Sequence, residues 1–174
     1  MIVLGVDPGI NSTGYGVIKR AQNGVISLLE CGVIRTEPAT PLAKRLKEIY
    51  QGILEVVEYH QPSAVAVEGV FYAKNVRTTV ILGHARGAIL LAATMRDLSV
   101  AEYSPAEIKN AVVGTGRATK EQVQFMIQRL LRLKEPPKPS DAADGVAVAL
   151  CHCNADVIAT LRSAVTRPPM IPAR

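Results

Sequence analysis

An α/β fold built on one five-stranded mixed sheet, in the order 3-2-1-4-5 and flanked by helices, is predicted for this chain by three features of its sequence. The first is a set of three apolar segments near the start, residues 2–6, 15–18 and 25–36, separated only by turn-forming residues and so read as an antiparallel meander. The second is a stretch of helical spacing at 42–60, closed by Gln61-Pro62 and followed at once by a short apolar run at 64–67. A right-handed crossover through such a helix sets the fourth strand parallel to the first, on the side the meander leaves free. The third is a further short run at 100–103, after a second long helix, which extends the sheet by a fifth strand.

The first strand ends on Asp7, and Pro8, Gly9, Asn11, Ser12 and Gly14 make the loop that follows. Taken alone, Asp7 reads equally well as the Asx cap of that loop. Asn23-Gly24 turns the second strand into the third, and Pro38 to Pro41 ends it. The helix at 42–60 carries Leu46, Ile49, Ile53, Leu54 and Val57 on one face, and the fourth strand stops on Glu68. Strands one and four meet at the switch point of the sheet, where open α/β folds place ligands at strand carboxyl ends. Asp7 and Glu68 are therefore expected side by side, an arrangement that favours a bridging cation.

Beyond Glu68, Phe71, Tyr72, Lys74, Asn75 and Arg77 combine rings with polar and basic groups. They are read as a nucleic-acid contact with bases stacked on the rings, the alternative being ordinary core aromatics. The helix at 76–96 is apolar around most of its circumference and has Gly83 and Gly87 four apart, so it is expected both to underlie the sheet and to form a subunit interface. Ser104-Pro105-Ala106-Glu107 is a capping box that puts Lys109 on the second turn of a short helix ended by Gly114. A mobile basic loop with Arg117 leads to a second capped helix, opened by Thr119 and Lys120 and reaching Leu133; a stiff, proline-rich connector follows. The last helix opens with Asp141 and Asp144, three apart on one face of its first turn. Capping by these acids is the plain explanation. The next two turns are so apolar that the helix must lie on the sheet, which leaves Asp144 partly buried and in need of partners.

Composition narrows the function. Residues 1–70 hold six basic and seven acidic side chains, 71–140 hold eleven and five, and 141–174 hold three of each, so the net charge of +5 comes from the middle of the chain. A basic block beside an acidic cluster suits an enzyme acting on a polyanion. One domain over 1–160 and a flexible tail over 161–174 are expected at this length. No signal peptide is visible, and the run at 80–95 is read as too short for a bilayer, so a soluble, cytoplasmic protein without a membrane partner is expected. Cys31, Cys151 and Cys153 make no disulfide framework, and Cys151-His152-Cys153 spreads its side chains around a helix rather than gathering them on zinc.

Asp7, Glu68, Asp141 and Asp144 form a hard oxygen-ligand set suited to Mg²⁺, with two ions per subunit expected and Mn²⁺ able to substitute. Such a pair, roughly 3.5–4 Å apart, serves phosphodiester hydrolysis, which points to a metal-dependent nuclease of ribonuclease-H-like fold. The motifs Gly5-Val-Asp7-Pro-Gly9 with Thr13-Gly14-Tyr15-Gly16, Val67-Glu68 with Phe71 to Asn75, Leu82-Gly83-His84-Ala85-Arg86-Gly87, the segment 109–116, and Asp141-Ala-Ala-Asp144 resemble the RuvC family of Holliday junction resolvases over roughly residues 1–155. The resemblance implies a homodimeric, Mg²⁺-dependent endonuclease of DNA recombination and repair that nicks a four-way DNA junction symmetrically. It implies that the four acids bind metal, that Phe71 stacks near the strand exchange, and that Lys109 and Lys120 contact the scissile region. It also implies work alongside the RuvA and RuvB branch-migration proteins. Two rivals stand beside it. Asp7, Gly9 and Gly14 also resemble the first phosphate loop of actin-like phosphotransferases, a fold that needs a longer chain; the other rival is a non-catalytic junction-binding module.

Overall fold

The computed structural model describes residues 1–69 and 76–165, and for 156–165 the backbone alone. Strands β1 (Ile2–Asp7), β2 (Ser12–Arg20) and β3 (Ile26–Arg35) form the meander, with Gly24 at φ +82° in the turn after β2. Helix α1 (Leu42–His60) carries the chain to β4 (Ala64–Glu68), and α2 (Val76–Thr94) carries it on to β5 (Ser99–Tyr103). Three helices follow, α3 (Pro105–Val113), α4 (Lys120–Leu130) and α5 (Ser140–Val165). The sheet order is β3-β2-β1-β4-β5, with β1 antiparallel to β2 and parallel to β4, as the meander and crossover require.

Period-two alternation divides the core into two layers. Leu4 and Val6 of β1, with Val65 and Val67 of β4, pack with Ile49, Ile53 and Ile89 from α1 and α2. Val3 and Ala66 face the other way and pack with Ile108, Ile127, Val146 and Leu150 from α3, α4 and α5. Counting on by twos from Val3 and Ala66 puts Asp7 and Glu68 on the side of α5. Alternation alone thus aims both strand-terminal carboxylates at the helix that carries the other two.

Helix α5 lies unusually close to the strands. A Cβ on Gly5 would fall 2.3 Å from the Ala149 backbone nitrogen, and one on Gly145 would fall 2.5 Å from the Tyr15 Cα. These glycines let helix and strand backbones touch where any side chain would hold them apart. At the other end of the scale, Cβ atoms on Gly83 and Gly87 of α2 would meet nothing within 4 Å.

Four expectations need correction. Helix α2 does not underlie the sheet completely: Ala85, Ile89, Ala92 and Ala93 are buried, while Val76, Val80 and Leu91, and Met95 just beyond the helix, are each more than half exposed. It packs mainly on α1, with which it shares that face of the sheet, and also touches β5. By length and composition alone α2 also reaches what a membrane span needs, contrary to the reading of its apolar run as too short. Its end is Thr94 rather than residue 96, because Asp97 takes a left-handed conformation (φ +53°). Likewise α4 stops at Leu130, short of Leu133, where Arg132 turns the chain at φ +53°. Helix α5 runs on to Val165, and the rest of the expected tail, 166–174, lies outside the described residues.

Candidate active site

Parallel pairing sets Val6 opposite Val67, so Asp7 and Glu68, the next residue of each strand, end side by side. With Asp144 of α5 they line a cleft of about 150 Å³, whose other wall carries Lys109 of α3 and Lys120 of α4 above Pro105, Ile108 and Val123. The lysines are delivered by two short helices that each begin with a complete capping box. Ser104 and Glu107 exchange hydrogen bonds at α3, and Thr119 and Gln122 do so at α4. Each box satisfies backbone N–H groups that would otherwise be orphaned at the helix start, which fixes where the first turn begins and hence where the lysine emerges.

The electrostatics of the cleft are those of an acid cluster short of positive charge. Burial first, then the charges of Glu68, Asp144 and Asp141, push the Asp7 carboxyl up to about 8, against the pull of Lys120. Glu68 is raised by burial and by Asp144, partly relieved by a hydrogen bond with Asp7 and by both lysines. Lys120 Nζ lies 3.0 Å from Asp144 Oδ2, and this bond holds the ammonium above its ordinary pKa. A carboxylate that desolvation holds near neutral pH is a group waiting for a cation.

Asp141 stands to one side of the cleft. Its Oδ2 accepts a 2.5 Å hydrogen bond from Ser12 Oγ, which ties the first turn of α5 to the start of β2. The acids share a region without closing into a finished cage: among the described residues no three acidic, histidine or cysteine side chains stand at ligand spacing about one point. In donor chemistry the set still fits a hard divalent cation, since it offers only carboxylate oxygens in a partly desolvated cradle.

The other expected site residues fall in different places. Arg77 opens α2 and is exposed, and Arg117 is exposed in the loop between α3 and α4, its backbone N–H donating to Thr115 Oγ1. Phe71, Tyr72, Lys74 and Asn75 lie outside the described residues. His152, between two buried cysteines, hydrogen-bonds the Tyr103 hydroxyl at 2.8 Å, a tie from α5 to β5. Two contributors were missed from sequence. Ser12 could be placed in a turn but not opposite Asp141, and Arg45, one turn before Ile49 on the buried face of α1, escapes a reading that counts only apolar residues.

The fold and cleft together define a class, the nucleases of ribonuclease-H-like fold. The family model described as crossover junction endodeoxyribonuclease RuvC matches residues 3–152. Relatives bearing that same description include one from Desulforamulus reducens, 49% identical over 87% of this chain and 93% of its own length. Another, from Shewanella sp. strain MR-4, is 52% identical over 95% of both chains, which carries the similarity beyond the 155 residues the motifs spanned. A solved structure of T. thermophilus RuvC in complex with a Holliday junction substrate superposes with a TM-score of 0.84 at 36% identity, covering 92% of this chain and 98% of that one. The chain belongs to the RuvC family, a family of metal-dependent nucleases. That membership disfavours both the phosphotransferase and the non-catalytic reading.

Proposed function

We propose that this protein resolves four-way DNA junctions by hydrolysing a phosphodiester in each of two strands, with Asp7, Glu68, Asp141 and Asp144 holding Mg²⁺ and with Lys109 and Lys120 facing the phosphate. The observation that carries the reading is the meeting of partly buried Asp7 with Glu68 and Asp144 in one cleft at the switch point of the sheet, facing Lys109 and Lys120. An all-oxygen donor set favours Mg²⁺, with Mn²⁺ as the natural substitute. When bound, the metal supplies charge neutralisation at the reacting phosphate and lowers the pKa of attacking water. The chain's own residues do the rest. The β1 and β4 ends fix two carboxylates to the rigid centre of the sheet, and Ser12 restrains Asp141. Lys120, two-thirds exposed beside Asp144, offers its ammonium to the charge that builds on phosphate oxygens, and Lys109 adds a second. Phe71 and Tyr72, with Lys74, Asn75, Arg77 and Arg117, are assigned to the DNA around that phosphate.

A junction has approximate two-fold symmetry, which a C2 dimer matches. The exposed stripe of α2, Val76, Val80 and Leu91 with open Gly83 and Gly87 between them and Met95 just beyond its end, offers a self-complementary surface for a second copy. RuvA and RuvB remain the partners the family suggests. Cleavage of a mobile four-way junction in Mg²⁺ tests the reading. Asp7→Asn is expected to bind the junction and lose cutting by more than about 100-fold, the upper end of what even an outer-shell partner contributes; equal cutting by the variant would show the site assignment wrong. Gly83→Arg is expected to sediment as a monomer, and a dimeric variant would remove α2 from the interface.

A further inference from the structure

We infer that Arg45, on the first turn of α1 and outside the cleft, is a positioning residue that holds the Asp7-to-Ser12 loop in the shape that metal binding requires. The inference rests on the nuclease reading and extends it to a residue that touches none of the four acids. Arg45 is only 9% exposed. Its Nε donates to Thr36 Oγ1 at 2.8 Å, and its Nη2 donates to the Ile10 carbonyl at 2.9 Å and to Asn11 Oδ1 at 2.5 Å. Thr36 works on the same two loop residues: its Oγ1 donates to the Ile10 carbonyl at 2.5 Å and its N–H to the Asn11 carbonyl at 3.2 Å.

The loop is closed from within as well. Buried Thr13 donates from Oγ1 to the Gly9 carbonyl at 2.7 Å, and a Cβ on Gly9 would fall 2.1 Å from the Ser12 carbonyl oxygen. One end of this loop is Asp7, in the cleft; the other is Ser12, bonded to Asp141. Fixing Ile10 and Asn11 therefore fixes the distance between one acid on the sheet and another on α5. Among the described residues no carboxylate pairs with Arg45, so a full charge is buried on neutral oxygens alone. That is an expensive choice for a purely structural contact. It gains a reason from the work required, because the acids repel one another and the loop must resist their spreading. A guanidinium fork reaches the strand-end hydroxyl and the loop together, which a lysine cannot.

The test titrates the metal-free protein with Mn²⁺ by calorimetry in the absence of DNA, and separately measures junction cleavage across Mn²⁺ concentrations. Arg45→Met is expected to weaken Mn²⁺ binding roughly 10-fold and to move the metal midpoint of cleavage by the same factor, with the rate at saturating metal close to wild type. Arg45→Lys is expected to fall between. Ile49→Val, in the core one turn further along α1, lowers stability without touching the loop and is expected to leave Mn²⁺ affinity unchanged. Should Arg45→Met not fold, Thr36→Val removes the shared hydroxyl and is expected to shift affinity in the same direction. Wild-type affinity in Arg45→Met, or an equal loss in Ile49→Val, overturns the inference. Failure of the wild-type protein itself to bind Mn²⁺ removes the nuclease reading on which it stands.

Discussion

Helices α2 and α5 are both long, both rich in alanine and aliphatic side chains, and both contain glycine, yet they have opposite fates. Along α5 the residues from Val146 to Leu150 are buried, and Gly145 sits against the β2 backbone with no room for a methyl group. Along α2 three large apolar side chains, Val76, Val80 and Leu91, face outward, and its two glycines look into open space. What separates the two is the surface opposite each. Gly5, Gly14 and Gly16 cut a channel in the strands that only a closely approaching helix can fill, whereas α2 shares its face of the sheet with α1 and meets the strands through side chains at one flank only. If Asp141 and Asp144 hold metal as proposed, α5 must not drift, and a close-packed backbone contact leaves it little room to do so. If α2 forms the proposed dimer interface, its apolar stripe has to stay uncovered in the single chain.

The most damaging way to break this contrast is Gly5→Ala, which drives a methyl into the Ala149 backbone and the Gly145 carbonyl. A loss of about 3 kcal/mol or more is expected in urea unfolding, with cleavage falling further than stability because Asp144 moves with α5. A variant with an unchanged midpoint would mean that the close approach is not obligatory. The acids that α5 holds against the strands supply the next test. Asp7 keeps its proton up to about 8 when folded, against 3.8 for the unreacted side chain. Between those values the native state carries a proton that the unfolded chain has released, so metal-free stability must fall as pH rises from about 4 to about 8. Asp7→Asn is expected to flatten that slope, and added Mg²⁺ to reverse it; an identical pH profile for the variant would remove Asp7 from the cluster.

Smaller effects test α2. Leu91→Glu is expected to disrupt the dimer in sedimentation while changing the unfolding midpoint of the monomer by no more than about 0.5 kcal/mol. Gly87→Ala, with nothing near its added methyl, is expected to stabilise the monomer by roughly 0.5–1 kcal/mol through helix propensity alone. The same change at Gly145 has to destabilise it if the contrast holds.

Strand ends, helix caps and sheet order were legible because each depends on neighbours in sequence. Asp7 and Glu68 were marked by apolar runs that stop at a charge, and Ser104 and Thr119 by residues three further on. The fate of α2 was not legible, since an apolar circumference does not say what stands opposite it. The bond from Ser12 to Asp141 spans more than a hundred residues and depends on a loop shape that no local spacing encodes. Arg45 was hidden for another reason: it stands four residues before Ile49 and eight before Ile53 on the buried face of α1, but a charge there reads as solvated until the Ile10 and Asn11 oxygens that accept from it are in place.

The lysines and the acids of the cleft belong to different pieces of chain. Asp7, Glu68, Asp141 and Asp144 come from the sheet and α5, while Lys109 and Lys120 ride on one contiguous stretch, α3 and α4, which packs on α5 through Ile108, Val112, Val123 and Ile127 and is delimited by its own caps. The acids proposed to hold metal and the lysines proposed to face the phosphate are thereby carried by separate pieces of chain that meet in one cleft. If the proposed roles hold, a chimaera that takes residues 104–133 from a relative is expected to keep its affinity for divalent metal, which rests on the sheet and α5, while its rate changes with the lysines that the new segment brings.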